Sequence, residues 1–313
     1  MSAAPIVIAH RGASGYLPEH TLEAKALAYG LGADYLEQDV VATRDAQLVV
    51  LHDLHLDDVT DVASRFPGRQ RADGRHYAID FDLAELQQLA VSERRKPASR
   101  SARFPERFPA EAALFRISTL DQELTLIAGL NKSMRRTIGI YPEIKHPRWH
   151  REHGIDLASR LLVALAAHGY RDAESAAYVQ CFDADELRRV REDLGCRLKL
   201  VQLVGEEPEY APLLTAEGLA RVARYANALG PSYKQLASAT DIRPLGKSAL
   251  VDAAKRAGLK LHPYTFRSDD LPEFATDFED LLHTFFADIG VDGLFCDQPD
   301  IAVRVRDRVA RGG

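Results

Sequence analysis

Three cysteines, two methionines and one tryptophan are all that this 313-residue chain has of those types. Cys181, Cys196 and Cys296 are scattered and odd in number. They make neither a CxxC pair nor a disulfide framework, and one thiol at least stays outside any intrachain bridge. That usage fits a cytosolic protein and leaves the periplasm open. No apolar run comes near the ~20 residues that span a bilayer, so stable membrane insertion is not expected. A net charge of −6 supplies no basic field, which argues against nucleic acid as a partner. Residues 1–5 run straight into the first strand candidate and leave no room for a leader. The expected compartment is the cytoplasm, or the periplasm if a signal peptide has been removed. Nothing in the chain speaks to oligomeric state.

What is present is a 46% hydrophobic composition, enough for a large core, and a regular alternation of short apolar runs with amphipathic stretches. The strand candidates are Ile6–His10, Tyr35–Val41, Leu48–His52, Ile138–Lys145, Tyr178–Phe182, Leu198–Val204, Lys260–Phe266 and Gly293–Asp297. Leu229–Tyr233 is a less regular ninth. Helical periodicity covers Thr21–Leu31, Ile155–His168, Asp183–Leu194, Ala216–Ala228 and Lys247–Ala257. Asp183 reads as an N-cap with Glu186 completing a capping box, and Gly195 and Gly258 as C-terminal stops. Strands alternating with helices over most of the length predict an α/β fold, a TIM-type (β/α)₈ barrel with its site at the C-terminal strand ends. From Leu54 to about residue 116 the alternation lapses, Arg-Phe-Pro recurs three times, and only Leu83–Leu89 reads as a helix. A connection this long is unusual unless it has a function. The expected organisation is one domain, 1–313, in which residues 54–116 form an inserted cap over the barrel mouth.

The chemistry-bearing residues gather at strand ends. Strand side chains alternate faces, so Glu37 and Asp39 project together, as do Glu143 and Lys145. Carboxylates turned into a barrel are costly unless a cation or hydrogen bonds compensate them. Three of them, with oxygen donors only, suit a hard divalent cation such as Ca²⁺ or Mg²⁺. His10 and His52 each close an apolar run and can flank one reacting centre, one imidazole taking a proton and the other giving one. Arg11 and Lys145 add positive charge for a phosphoryl group. The set therefore points to phosphodiester chemistry.

These stretches resemble the glycerophosphodiester phosphodiesterases, most closely the bacterial periplasmic type. The resemblance rests on residues 8–21 (IAHRGASGYLPEHT), 32–39 (GADYLEQD), 48–53 (LVVLHD), 140–145 (IYPEIK), 180–185 (QCFDAD), 262–265 (HPYT) and 290–295 (GVDGLF). It covers nearly the whole chain, the long insertion included. It implies a barrel that hydrolyses small glycerophosphodiesters, such as glycerophosphocholine or glycerophosphoethanolamine, to glycerol 3-phosphate and an alcohol. By position it implies acid–base roles for His10 and His52, and one divalent cation on Glu37, Asp39 and Glu143, with Ca²⁺ favoured and Mg²⁺ the alternative. Arg11 and Lys145 are implied as phosphate ligands. Gln180, Tyr264 and Phe295, at later strand ends, are expected to line the substrate pocket. Glu19, His20 and Thr21 are expected to order their loop and cap a helix.

Two other motifs are set aside. His146, His150 and His153 are spaced like a helical zinc site, but Pro147 is expected to interrupt any helix there. Residues 12–16 resemble a serine-nucleophile turn with the wrong spacing. The rival functions are a barrel phospholipase of the phospholipase D type, which needs an apolar docking surface that the arginine-rich insertion does not offer, and a non-catalytic binding barrel. Both histidines and all three carboxylates are present, which argues against the second.

Overall fold

The computed structural model describes residues 4–112, 114–237 and 248–312. Its strands are β1 (Ile6–Ala9), β2 (Tyr35–Ala42), β3 (Leu48–Val50), β4 (Gly139–Ile144) and β5 (Tyr178–Cys181). They continue as β6 (Lys199–Val204), β7 (Ala228–Pro231), β8 (Lys260–Leu261) and β9 (Gly293–Cys296). All except β3 run parallel, in the order β8-β7-β6-β5-β4-β2-β1-β9. The two ends of this ladder meet just beyond β8. The Phe295 N–H donates to the Pro263 carbonyl at 3.0 Å and the Phe266 N–H to the Phe295 carbonyl at 2.9 Å. Eight parallel strands thus close into a TIM-type barrel. Among the described residues, no helix is long and apolar enough to cross a membrane.

The strand census differs from expectation at two places. Leu48–His52 is not a barrel strand. Its ordered part, β3, pairs antiparallel with β2, Val40 opposite Val50 and Ala42 opposite Leu48. The reason is reach: residues 43–47 suffice for a hairpin, whereas a parallel crossover takes a dozen residues or more. The eighth barrel strand is instead the irregular candidate near Leu229. Its sequence, Ala-Leu-Gly-Pro, holds two residues that strands seldom favour.

Helices cover the barrel and bury one stripe each. Leu157–Ala167 buries Leu157, Leu161 and Leu165, four residues apart, after an Asp156 N-cap. The other expected helices are Leu22–Gly30, Ala184–Glu192, Ala216–Val222 and Ala249–Arg256, with Lys247 outside the described residues. Asp183 does cap Ala184–Glu192. Glu186 is drawn away to Arg151 and Arg189 rather than completing a box. Leu120–Met134 and Pro299–Gly312 are helices that periodicity did not single out.

The long connection holds a cluster of its own. Leu56, Val59, Phe81, Leu86, Leu89 and Val91 pack with Val41 and Val49 of the β2–β3 hairpin. Among its described residues the helices are short: Val62–Arg65, the 3₁₀ turn Ala78–Asp80, and Leu83–Leu86 with an Asp82/Glu85 capping box.

Candidate active site

Strand parity builds the site. The lower barrel interior is apolar and aromatic, filled by Ile8, Tyr141, Tyr178, Val201, Ala228 and Phe295. Side chains two residues further along a strand point the same way and rise one layer. That step leads from Ile8 to His10, from Tyr35 to Glu37 and then Asp39, from Tyr141 to Glu143, from Tyr178 to Gln180, and from Phe295 to Asp297. A polar layer therefore lies directly on the aromatic one. His10, Arg11, Glu37, Asp39, His52, Glu143, Lys145, Gln180, Tyr264 and Phe295 all line one pocket of about 270 Å³. Phe295, 1% exposed, is its floor. Tyr264 is fixed at the rim by a 2.9 Å bond from its hydroxyl to the Val204 carbonyl.

Each histidine has a carboxylate behind it. His10 Nδ1 is 2.6 Å from Asp297 Oδ1, and His52 Nδ1 is 2.7 Å from Asp53 Oδ1. With Nδ1–H donating to the acid, each ring keeps Nε2 as an acceptor. Asp297 is held in turn by Arg107 at 2.7 Å and Arg267 at 2.9 Å, and Asp53 by Arg94 at 2.6 Å. Burial, then Arg11, pushes His10 down to about 4 and His52 down to about 3. Both rings are therefore neutral near pH 7, poised to accept a proton. Neither Asp297 nor Arg94 emerged from the sequence. Asp297 reaches His10 because Ile8 and Phe295 are register partners, so the residues two further on are neighbours; that register is not legible in the sequence. Arg94 comes from the insertion, where no periodicity marks it.

Arg11 and Gly12 form the turn that leads out of β1. Both have positive φ, 58° and 88°. The turn aims the Arg11 backbone N–H at Glu37 Oε2, 2.8 Å away. A Cβ at Gly12 would meet the Ala24 backbone at 2.9 Å, so position 12 requires glycine for space as well as for φ. The Arg11 guanidinium bonds Glu19 through both carboxylate oxygens at 3.0 Å. Glu19 therefore orients an arginine rather than merely its own loop.

Glu37, Asp39 and Glu143 are buried, and ligand oxygens from the three lie within 4.8 Å of one another. Burial, then Asp39, pushes Glu37 up to about 8. Burial pushes Glu143 up to about 7, with Lys145 opposing and Asp39 adding to the rise. Asp39 feels the same burial, yet Lys145 and His20 hold it well below the usual range. Gln180 donates to Glu37 Oε1 at 2.9 Å, and Lys145 Nζ sits 2.9 Å from Glu143 Oε1. Asp39 Oδ1 is buried without a hydrogen-bond partner. An orphaned oxygen among three crowded acids is what a divalent cation would satisfy, so the residues present fit one.

A buried relay supports Asp39 from behind. His20 Nε2 is 2.7 Å from Asp39 Oδ2, and the Lys25 ammonium lies 3.3 Å from His20 Nδ1. An ammonium can only donate, so Nδ1 accepts and Nε2–H donates to Asp39. That occupies Oδ2 and leaves Oδ1 for the cation. Lys25 is fully buried, also donates to the Glu37 carbonyl, and pairs with Glu123 at 3.1 Å. His20 is thus more than a loop-ordering residue; Thr21 does cap its helix, accepting from the Ala24 N–H at 3.1 Å.

The histidine triplet after β4 is a different case. Pro147 starts a helix, Pro147–Glu152, rather than interrupting one, because the first helical position needs no N–H. His150 faces backbone on both ring nitrogens, the Ala42 N–H at 3.2 Å and the His146 carbonyl at 3.0 Å.

The family described as Glycerophosphoryl diester phosphodiesterase family matches residues 10–301 of this chain. A glycerophosphodiester phosphodiesterase of Haemophilus influenzae is 41% identical over 327 residues, covering 97% of this chain and 90% of the relative. One of Treponema pallidum is 34% identical over 335 residues, covering 98% and 93%. Among solved structures, an Oleispira antarctica phosphodiesterase in complex with the product sn-glycerol-3-phosphate superposes with a TM-score of 0.68. It is 21% identical and 97% of each chain is covered, which supports the shared barrel.

Proposed function

Because this chain belongs to the glycerophosphoryl diester phosphodiesterase family and is therefore a phosphodiester hydrolase, we propose that its barrel mouth cleaves small glycerophosphodiesters to glycerol 3-phosphate and an alcohol by proton transfer between His10 and His52. The observation that carries this reading is the pair of histidines, each backed by a carboxylate, facing the pocket that holds the three buried acids. The Oleispira antarctica structure, which contains glycerol 3-phosphate, supports the choice of product.

Arg11 and Lys145 hold the phosphoryl oxygens, a planar fork and a point charge. Burial removes water that would screen them. One imidazole Nε2 takes the proton of the attacking oxygen, either of water directly or of the glycerol hydroxyl with water then opening the cyclic phosphate, and the carboxylate behind that ring steadies the imidazolium that results. The other imidazole, neutral in the free protein, takes up a proton as the anionic phosphodiester binds beside it and delivers that proton to the departing alkoxide. A divalent cation on Glu37, Asp39 and Glu143 would supply Lewis-acid polarisation of a phosphoryl oxygen. Ca²⁺ is the favoured cation, as the family resemblance implies, with Mg²⁺ the alternative; three buried carboxylates offering oxygen donors suit either. Residues 54–116 serve as the cap, bringing Arg94 and Arg107 onto the acids behind the histidines.

Chelation tests the cation directly: EDTA abolishes turnover and added Ca²⁺ restores it. Thermal unfolding supplies a second reading, and its sign follows from the acids. Glu37 and Glu143 have folded values raised to about 8 and about 7 above the ordinary 4.5. The stability they lend the cation-free protein is fully present below about 4.5 and is lost as pH rises through 7 and 8. Ca²⁺ replaces the protons over that same window. The rise in melting temperature on adding Ca²⁺ should therefore be small near pH ~6 and large near pH ~8.5. Turnover that survives EDTA, or a shift that shrinks with rising pH, contradicts the assignment.

A further inference from the structure

A cavity of about 220 Å³ is lined by His10 and His52 together with residues of the insertion, and none of the three acids Glu37, Asp39 and Glu143 lines it. Five arginines line it against four carboxylates. Four of the arginines are committed: Arg11 to Glu19, Arg94 to Glu19 and Asp53, Arg107 to Asp269 and Asp297, and Arg267 to Asp297. Arg103 differs. Among the described residues no carboxylate pairs with it, and its guanidinium stands 5.5 Å from the Phe104 ring. Its strongest electrostatic neighbours are three other arginines, Arg267, Arg94 and Arg11.

Glu93 is the complementary oddity. It is 3% exposed, and its Oε2 has no hydrogen-bond partner. Burial, then Glu19, pushes its carboxyl up to about 7. A buried oxygen without a partner is unfavourable and rare in a folded protein. An exposed arginine with no carboxylate partner and a buried carboxyl with one orphaned oxygen therefore line one cavity beside the histidines, without pairing with each other.

We propose that this cavity is the subsite for the departing alcohol and that it takes a zwitterionic head group of the serine type, its carboxylate on Arg103 and its ammonium on Glu93. The proposal rests on the hydrolase reading above. An ethanolamine head group satisfies Glu93 alone. A choline head group satisfies neither, since a quaternary ammonium has no N–H to donate and brings no anion. The preference runs serine, ethanolamine, choline.

Glycerophosphoserine and glycerophosphoethanolamine differ only by that carboxylate, so their kcat/KM ratio isolates Arg103. In wild type with Ca²⁺ the ratio favours glycerophosphoserine, and in Arg103→Gln it falls about tenfold, the scale of one charge-assisted hydrogen bond. Arg103→Lys retains part of the preference and serves if the Gln variant folds poorly. Glu93→Gln lowers turnover of both N–H-bearing substrates relative to glycerophosphocholine. An unchanged ratio in Arg103→Gln, with both substrates hydrolysed, overturns the subsite. If wild type hydrolyses neither, the hydrolase reading fails. Calorimetric titration of glycerophosphoserine then decides the subsite alone, with weaker binding in Arg103→Gln supporting it and equal binding overturning it.

Discussion

His10→Ala and His52→Ala each lower kcat for glycerophosphodiester hydrolysis by about 10²- to 10⁴-fold, the range for loss of a positioned acid or base. The double variant falls little further, because two groups that share one proton-transfer sequence do not contribute additively. KM moves far less than kcat, since Arg11 and Lys145 still grip the phosphate. Stability should change little at His52, which is about a third exposed. His10 is different, because removing it strips Asp297 of a 2.6 Å partner while Arg107 and Arg267 remain. Steady-state kinetics with both single variants and the double variant checks the claim. Wild-type kcat in either single variant means that the ring is packing and not chemistry.

The second large effect belongs to a residue that touches no substrate. Lys25→Met should destabilise the protein by about 3–5 kcal/mol, the cost of leaving a buried partner charge uncompensated. Glu123, 0% exposed, is left without its cation, keeping the Ser118 hydroxyl at 2.9 Å. It has no resort to solvent, and burial already pushes its carboxyl up. Restoring the balance in Lys25→Met/Glu123→Leu should recover much of the loss, because an apolar pair of similar size often replaces a buried ion pair without cost. The same variants lose the donor that holds His20 in its Nδ1-acceptor form, so Asp39 becomes less constrained and Ca²⁺ raises the melting temperature less than in wild type. Urea unfolding with and without Ca²⁺ separates the two effects. A wild-type response in Lys25→Met rejects the relay.

Much of this architecture is legible in the sequence because barrel strands obey a period of two. Glu37 with Asp39, and Glu143 with Lys145, were paired by that rule alone, and the structure sets all four in one pocket. The same rule, applied to Phe295, places Asp297 beside His10 once the β1–β9 register is known; register is the information that a lone sequence lacks. β3 reads as a barrel strand by composition alone, although residues 43–47 are too few for a crossover. β7 read poorly because Gly230 and Pro231 blunt its strand signal. The insertion was opaque for a different reason. Its short helices carry no sustained period, so nothing announced that Arg94 would reach Asp53 and Glu19, or that Glu93 and Arg103 would remain unmatched.

Cleavage falls on the head-group side of phosphorus, at a centre flanked by two histidines. Phosphorus-31 NMR of glycerophosphoethanolamine incubated with the wild-type protein and Ca²⁺ tests it most directly. The diester resonance should give way to glycerol 3-phosphate with release of ethanolamine, and EDTA or His10→Ala should arrest the change. Appearance of phosphoethanolamine and glycerol, or a diester signal that persists with Ca²⁺ present, would contradict it.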